Sequence, residues 1–212
     1  MSMKTLLLSI FLSVLSGCSL VAQQFQFGGE IGLNLSGATL NDPGADPKGP
    51  PAPGFQIGAF GTVAIPVAHL SVGARLLYSY EGYSTNLYGY PVSIHVGFLK
   101  IPINLIYKST EKDNKWFFGI GPYIAPSLGG HYYAQNHRTT ILFGNNAIND
   151  NLKRVDIGAD LMAGYQINEK IFVRASFDFG LINYVTPGST ADNAKAHTLN
   201  LGLTAGYVIG GK

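Results

Sequence analysis

The alternation of apolar with small or polar residues near the C-terminus restricts the fold more than any other feature of the chain. Leu199, Leu201, Leu203, Ala205 and Tyr207 take every second position, and Thr198, Asn200, Gly202, Thr204 and Gly206 fill the gaps. Side chains two apart in a strand share a face, so this segment reads as a strand with one greasy side. The same period runs through Val155, Ile157, Ala159, Leu161, Ala163 and Tyr165, opposed by Asp156, Gly158, Asp160 and Gly164. It recurs in Ile171, Val173, Ala175, Phe177 and Phe179, opposed by Arg174, Ser176, Asp178 and Gly180. Extended backwards, the pattern predicts eight strands, at 24–36, 54–66, 69–81, 92–107, 115–130, 153–167, 169–183 and 197–209. Pro102, Pro122 and Pro126 fall inside these spans, cannot donate ladder hydrogen bonds, and lead us to expect bulges.

The connections alternate in length. Asn41 to Pro53, Gly82 to Pro91, His131 to Leu152 and Tyr184 to Ala196 are long, whereas Pro66 to His69, Lys108 to Asn114 and Asn168 to Glu169 are short. Transmembrane barrels carry long outer loops and tight periplasmic turns, and an even strand number returns both termini to the periplasm. Tyr and Trp favour the two membrane interfaces. On this map Phe25, Tyr107, Trp116, Phe118, Tyr165, Phe172 and Tyr207 gather at the short-turn end, and Tyr78, Tyr80, Tyr83, Tyr88, Tyr90, Tyr132, Tyr133 and Tyr184 at the other.

A water-soluble barrel also has one apolar face, so the polar face must decide between water and lipid. Here it is rich in glycine, which weakens a solvated strand but makes room for large neighbours inside a narrow barrel. The same face carries Glu30, Arg75, Glu81, Lys100, Arg154, Asp156, Asp160, Arg174 and Asp178, five acids against four bases. Buried charges are tolerated when paired and hydrogen-bonded, so these nine residues are expected to form a salt-bridge network that fills the lumen. The alternative is a solvated strand face. Charged residues make up only 12% of the chain, which would serve a fully water-facing surface poorly. The expected fold is therefore an all-β, eight-stranded, antiparallel up-and-down transmembrane β-barrel, its outer side against outer-membrane lipid and its closed ring leaving no unpaired edge.

Residues 1–22 read as a signal peptide, with Lys4 ahead of an apolar run from Leu6 to Leu15 that is too short to span a bilayer, leaving 23–212 as the barrel domain. Cys18, the only cysteine, follows Leu15-Ser16-Gly17 in a pattern resembling a lipobox. It is either acylated there or discarded when cleavage falls at Ala22-Gln23. No later apolar run reaches the roughly 18 residues of a membrane-spanning helix. The net charge of +2 and the scattered Lys and Arg argue against a nucleic-acid partner.

Gly32-Leu33-Asn34-Leu35-Ser36, Gly54-Phe55-Gln56-Ile57-Gly58, Leu99-Lys100-Ile101-Pro102-Ile103, Gly119-Ile120-Gly121-Pro122-Tyr123 and the stretch from Asp156-Ile157-Gly158 to Gly164 follow one another along the chain. In order and spacing they resemble the outer-membrane β-barrel family of Bacteroidota-type bacteria that includes PorT-like proteins. The resemblance implies residence in the bacterial outer membrane, with some relatives serving secretion or gliding machinery. The chain departs from many such barrels by running past Tyr207 to Lys212 instead of ending on the aromatic residue read by the barrel insertion machinery.

No catalytic, cofactor or metal motif is present. His69, His95, His131, His137 and His197 are dispersed and fit no metal-ligand spacing, and no nucleophile elbow organises the serines. Asp156 and Asp160 share a face, but Arg154 and Arg174 are expected beside them, which favours ion pairing over acid–base chemistry. The expected role is non-enzymatic, with the outer loops, above all His131 to Leu152, meeting an envelope or extracellular protein. A narrow solute pore and a rim-active membrane enzyme are the alternatives.

Overall fold

The computed structural model describes residues 25–41, 50–66, 69–87, 90–109, 115–134, 137–144, 152–186 and 195–211. The signal segment and Cys18 lie outside these residues. The strands are β1 (Phe25–Asn41), β2 (Ala52–Ala64), β3 (Leu70–Leu87), β4 (Tyr90–Lys108), β5 (Trp116–Ala134), β6 (His137–Thr140), β7 (Val155–Gln166), β8 (Ile171–Gly180) and β9 (Lys195–Gly210). Eight of them close a ring in the order β1-β2-β3-β4-β5-β7-β8-β9 and back to β1, every pair antiparallel. The four-residue β6 pairs with the outer end of β5 and stands outside the ring.

Alternation translates directly into sidedness. Leu33, Leu203 and Ile31 point outward and are 72%, 66% and 60% exposed, while their neighbours Asn34, Thr204 and Glu30 are buried. Apolar side chains this exposed on a continuous wall belong to a lipid-facing surface. Tyr107, Trp116, Phe118, Phe25 and Tyr207 are exposed at the short-turn end, as an interfacial girdle requires. Phe172 is not among them: it shares the parity of Arg174 and Asp178 and turns inward. Tyr184 likewise leaves the expected outer girdle and is buried.

Proline interrupts the ladders without changing their register. Between β3 and β4 the paired residues skip from Ala74↔Ile103 to Leu77↔Lys100, around Pro102. Between β4 and β5 they skip from Pro102↔Tyr123 to Leu105↔Ile120, around Pro122. The single register shift in that pair lies at Gly97/Phe98, where Leu128 is the extra residue, two positions past Pro126. It moves the inward parity from Tyr123 and Ala125 to Gly130 and Tyr132.

The outer rim is uneven. The expected loop from Gly82 to Pro91 is instead a continued hairpin, since β3 and β4 stay paired from Glu81↔Val96 to Leu87↔Tyr90. β7 and β8 are shorter, with 12 and 10 residues. Segments 141–144, 152–154 and 181–186 fold across that low side, tied by bridges Phe143↔Leu152 and Leu152↔Val185. Backbone hydrogen bonds from Lys153 N to Tyr184 O and from Tyr184 N to Ala196 O secure them.

Candidate functional site

The interior of the ring is the most constrained part of the molecule, and it is filled in three layers. The middle layer is ionic. Arg75 on β3 donates to Asp160 on β7, with 2.6 Å to Oδ1, and Arg174 on β8 pairs with Glu30 on β1. A longer contact of 3.9 Å joins Arg75 to Glu30 and makes one four-membered cluster. Beside it, Lys100 Nζ bridges Glu81 Oε1 at 2.5 Å and Asp178 Oδ2 at 2.7 Å. Ser79 and Asn200 donate to these same carboxylates, and Asn34 donates to Ser79. Each of these side chains is buried. Ion pairs in such surroundings recover their desolvation cost only through this density of partners.

Two of the nine expected residues stand apart. Asp156 is buried but faces no cation; it accepts hydrogen bonds from Tyr123 Oη at 2.9 Å and Thr198 Oγ1 at 2.6 Å. Arg154 is a correction to the expected network. It precedes the first residue of β7, is exposed at the rim, and donates to the Phe143 carbonyl at 3.1 Å. Parity assigns a side chain to the lumen only within a ladder, and Arg154 lies just beyond one. The described lumen therefore holds five acids (Glu30, Glu81, Asp156, Asp160, Asp178) and three bases (Arg75, Lys100, Arg174). Asp156 is served by hydroxyl dipoles in place of a counter-charge.

The layers above and below are apolar. On the periplasmic side Phe60, Ile106, Phe117, Met162, Phe172 and Val208 pack together. Phe172 meets Phe60 and Phe117 edge-on at 5.2 and 5.8 Å, and the Arg174 guanidinium lies 5.3 Å from the Phe172 ring centre, which couples this plug to the ionic layer. Glycine makes the plug feasible: a Cβ at Gly164 would collide with the Phe117 ring, and one at Gly206 with the Phe172 ring. On the outer side Val96, Phe98, Tyr123 and Ala125 of the ring pack against Ile141, Leu152 and Tyr184. Tyr184 shares a 2.6 Å hydrogen bond with Ser127, and burial pushes its phenol well above the usual range, so the group stays protonated at physiological pH. A small cavity beneath this cap, with about 30 Å³ of room for solvent, is lined by Ser36, Glu81, Tyr83, Leu152 and Thr198 among others. Below the periplasmic plug an open vestibule of about 660 Å³ is rimmed by Lys108, Lys115, Glu169 and Lys170.

Both plugs escaped the sequence reading, although the signal was present. Phe117 shares parity with the inward Tyr123, and Ile106 shares it with Lys100 and Asn104. Among the described residues no group of three His, Cys, Asp or Glu side chains is arranged to hold a metal ion.

The chain resembles known proteins in fold. Solved structures with similar architecture include Ail, the attachment invasion locus protein of Yersinia pestis, in complex with the heparin analogue sucrose octasulfate; it has 12% identity and a TM-score of 0.45 over 88% of this chain and 100% of that one. OprG from Pseudomonas aeruginosa has 12% identity and a TM-score of 0.49 over 89% and 96% of the two chains. Neisserial surface protein A has 12% identity and a TM-score of 0.39 over 86% and 97%. No curated protein sequence matches the chain. The family model described as the outer membrane protein beta-barrel domain matches residues 21–185. With its closed antiparallel ring and greasy exterior, the chain belongs to that family and is a protein of the bacterial outer membrane.

Proposed function

We propose that this protein is a non-conducting, non-enzymatic barrel that works through its outer rim, holding structure across the membrane and presenting its loops to an envelope or extracellular protein. The observation that carries this reading is the three-layer filling of the lumen. Buried, mutually paired charges between two layers of packed apolar side chains support a lumen that does not conduct. The binding surface is then the rim, where β6 and the segments 141–144, 152–154 and 181–186 lie. The resemblance to PorT-like proteins supports secretion or gliding machinery as the partner, and export through segment 1–22 fits that setting.

Planar-bilayer recording from the purified protein tests the closed lumen: we expect no sustained conductance, and a stable ohmic channel would replace this reading with that of a narrow pore. A photo-reactive side chain at the exposed Thr139 of β6 tests the rim. It should crosslink to one envelope protein in intact cells, and only lipid adducts would remove the protein partner. Hydrolysis or acyl transfer on added lipid that disappears in His131→Ala would instead establish a rim-active enzyme.

A further inference from the structure

We propose that the outer end of the β2–β6 wall binds the phosphorylated sugar headgroup of a glycolipid in the outer leaflet of the membrane. A row of rings runs along the outside of this wall. Phe55 on β2 stacks on Tyr80 of β3 at 5.9 Å, Tyr80 stacks on His95 of β4 at 5.5 Å and 11°, and His95 meets Tyr133 of β5 edge-on at 6.0 Å. Arg138 of β6 is the register partner of Tyr133, and its Nη2 lies 2.8 Å from Nε2 of His131. All of these side chains point away from the lumen, because their chain neighbours Ser79, Val96 and Tyr132 point into it. Two glycines let the rings lie flat. A Cβ at Gly82 would approach the His95 ring to 2.7 Å, and one at Gly97 would approach the Tyr78 hydroxyl to 3.0 Å. The result is a shelf of packed aromatic rings ending in a guanidinium.

Height and charge identify the occupant. His95 lies twelve residues along β4 from the periplasmic girdle residue Tyr107. At about 2.5 Å of height per residue for a strand tilted by about 40°, that is about 30 Å, just beyond an apolar band of about 25 Å. The shelf therefore stands at headgroup level on the lipid side of the wall, where the neighbour is membrane lipid. Arg138 makes no ion pair among the described residues, and its side chain lies in hydrogen-bond contact with the His131 ring. Glu30, Glu81, Asp156, Asp160 and Asp178 all face the lumen, and Glu169 sits in a periplasmic turn. Among the described residues the outer rim thus carries Arg138, Lys153, Arg154 and Lys195 and no carboxylate, Asp42, Asp46, Asp150 and Asp192 of the outer connections lying outside those residues. A phosphate suits Arg138 and His131, and the C–H face of a sugar ring suits the exposed rings of Tyr133 and Phe55.

The test uses the full mature protein in phosphatidylethanolamine nanodiscs holding a minor fraction of diphosphorylated lipid A, with native mass spectrometry counting the lipid retained per barrel. Parallel discs hold dephosphorylated lipid A or phosphatidylglycerol. We expect retention of the diphosphorylated glycolipid over both others, and about a tenfold loss in Arg138→Ala/His131→Ala. Arg154→Ala, a rim cation off the shelf, should retain it. Heat-modified migration in gels confirms that each variant is folded. Equal retention of the dephosphorylated lipid or of phosphatidylglycerol, or full retention by the double variant, overturns the proposal.

Discussion

The periplasmic plug draws its six side chains from strands of the ring, whereas the outer cap takes Ile141, Leu152 and Tyr184 from segments between strands. Placement in the lower plug follows from register: once β5, β7 and β8 pair, Phe117, Met162 and Phe172 have nowhere else to go. The outer cap is held by a few backbone bonds and two isolated bridges, so it can be reshaped without disturbing the ring. Stability therefore resides in the ring and its lower filling, and adaptability is confined to the end that meets the outside.

Four substitutions grade this contrast, read as urea unfolding midpoints in lipid vesicles. Arg174→Leu should cost most, about 3–5 kcal/mol, because Glu30 is left buried with only the distant Arg75 as a counter-charge. Adding Glu30→Gln should recover part of that loss, and a double variant no better than the single would show that packing, not charge, holds the layer. Phe172→Ala should follow at about 3–4 kcal/mol, since the ladder-fixed plug cannot collapse onto the space. Leu152→Ala should cost about 2 kcal/mol, because the cap segments can settle inward. If it equals Phe172→Ala, the proposed difference between the two ends disappears. Arg154→Ala should shift stability by no more than about 0.5 kcal/mol, as expected for an exposed side chain bonded to one carbonyl. A loss comparable to that of Arg174→Leu would return Arg154 to the network.

Strand number, sidedness and the polarity of the lumen were legible because lipid on one side and a narrow interior on the other impose a strict period of two. Reading failed where that period stopped or a residue type misled. Arg154 kept the parity of Asp156 but lay past the end of β7. Phe172 was assigned to the interface because it is aromatic, although parity placed it with Arg174. The segment Gly82 to Pro91 looked like a loop by composition, yet its ladder bonds are backbone bonds that composition does not encode. The shelf from Tyr80 to Arg138 was beyond sequence reading, since it assembles from strands whose lateral register no single segment reveals.

The ionic layer also bears on how the molecule is made. Glu30 and Arg174 are separated by 144 positions, Arg75 and Asp160 by 85, and Lys100 and Asp178 by 78. Of these, only Glu30 and Arg174 sit on opposite sides of the β1–β9 seam, so this pair forms when the first and last strands join, and an isolated charge carried into hydrocarbon costs about 2.5–3.5 kcal/mol. A sheet that entered the bilayer with its seam open would carry Arg174 without its carboxylate partner. Joining of the first and last strands therefore supplies Arg174 with its counter-charge, which favours closing the ring as its interior reaches the lipid.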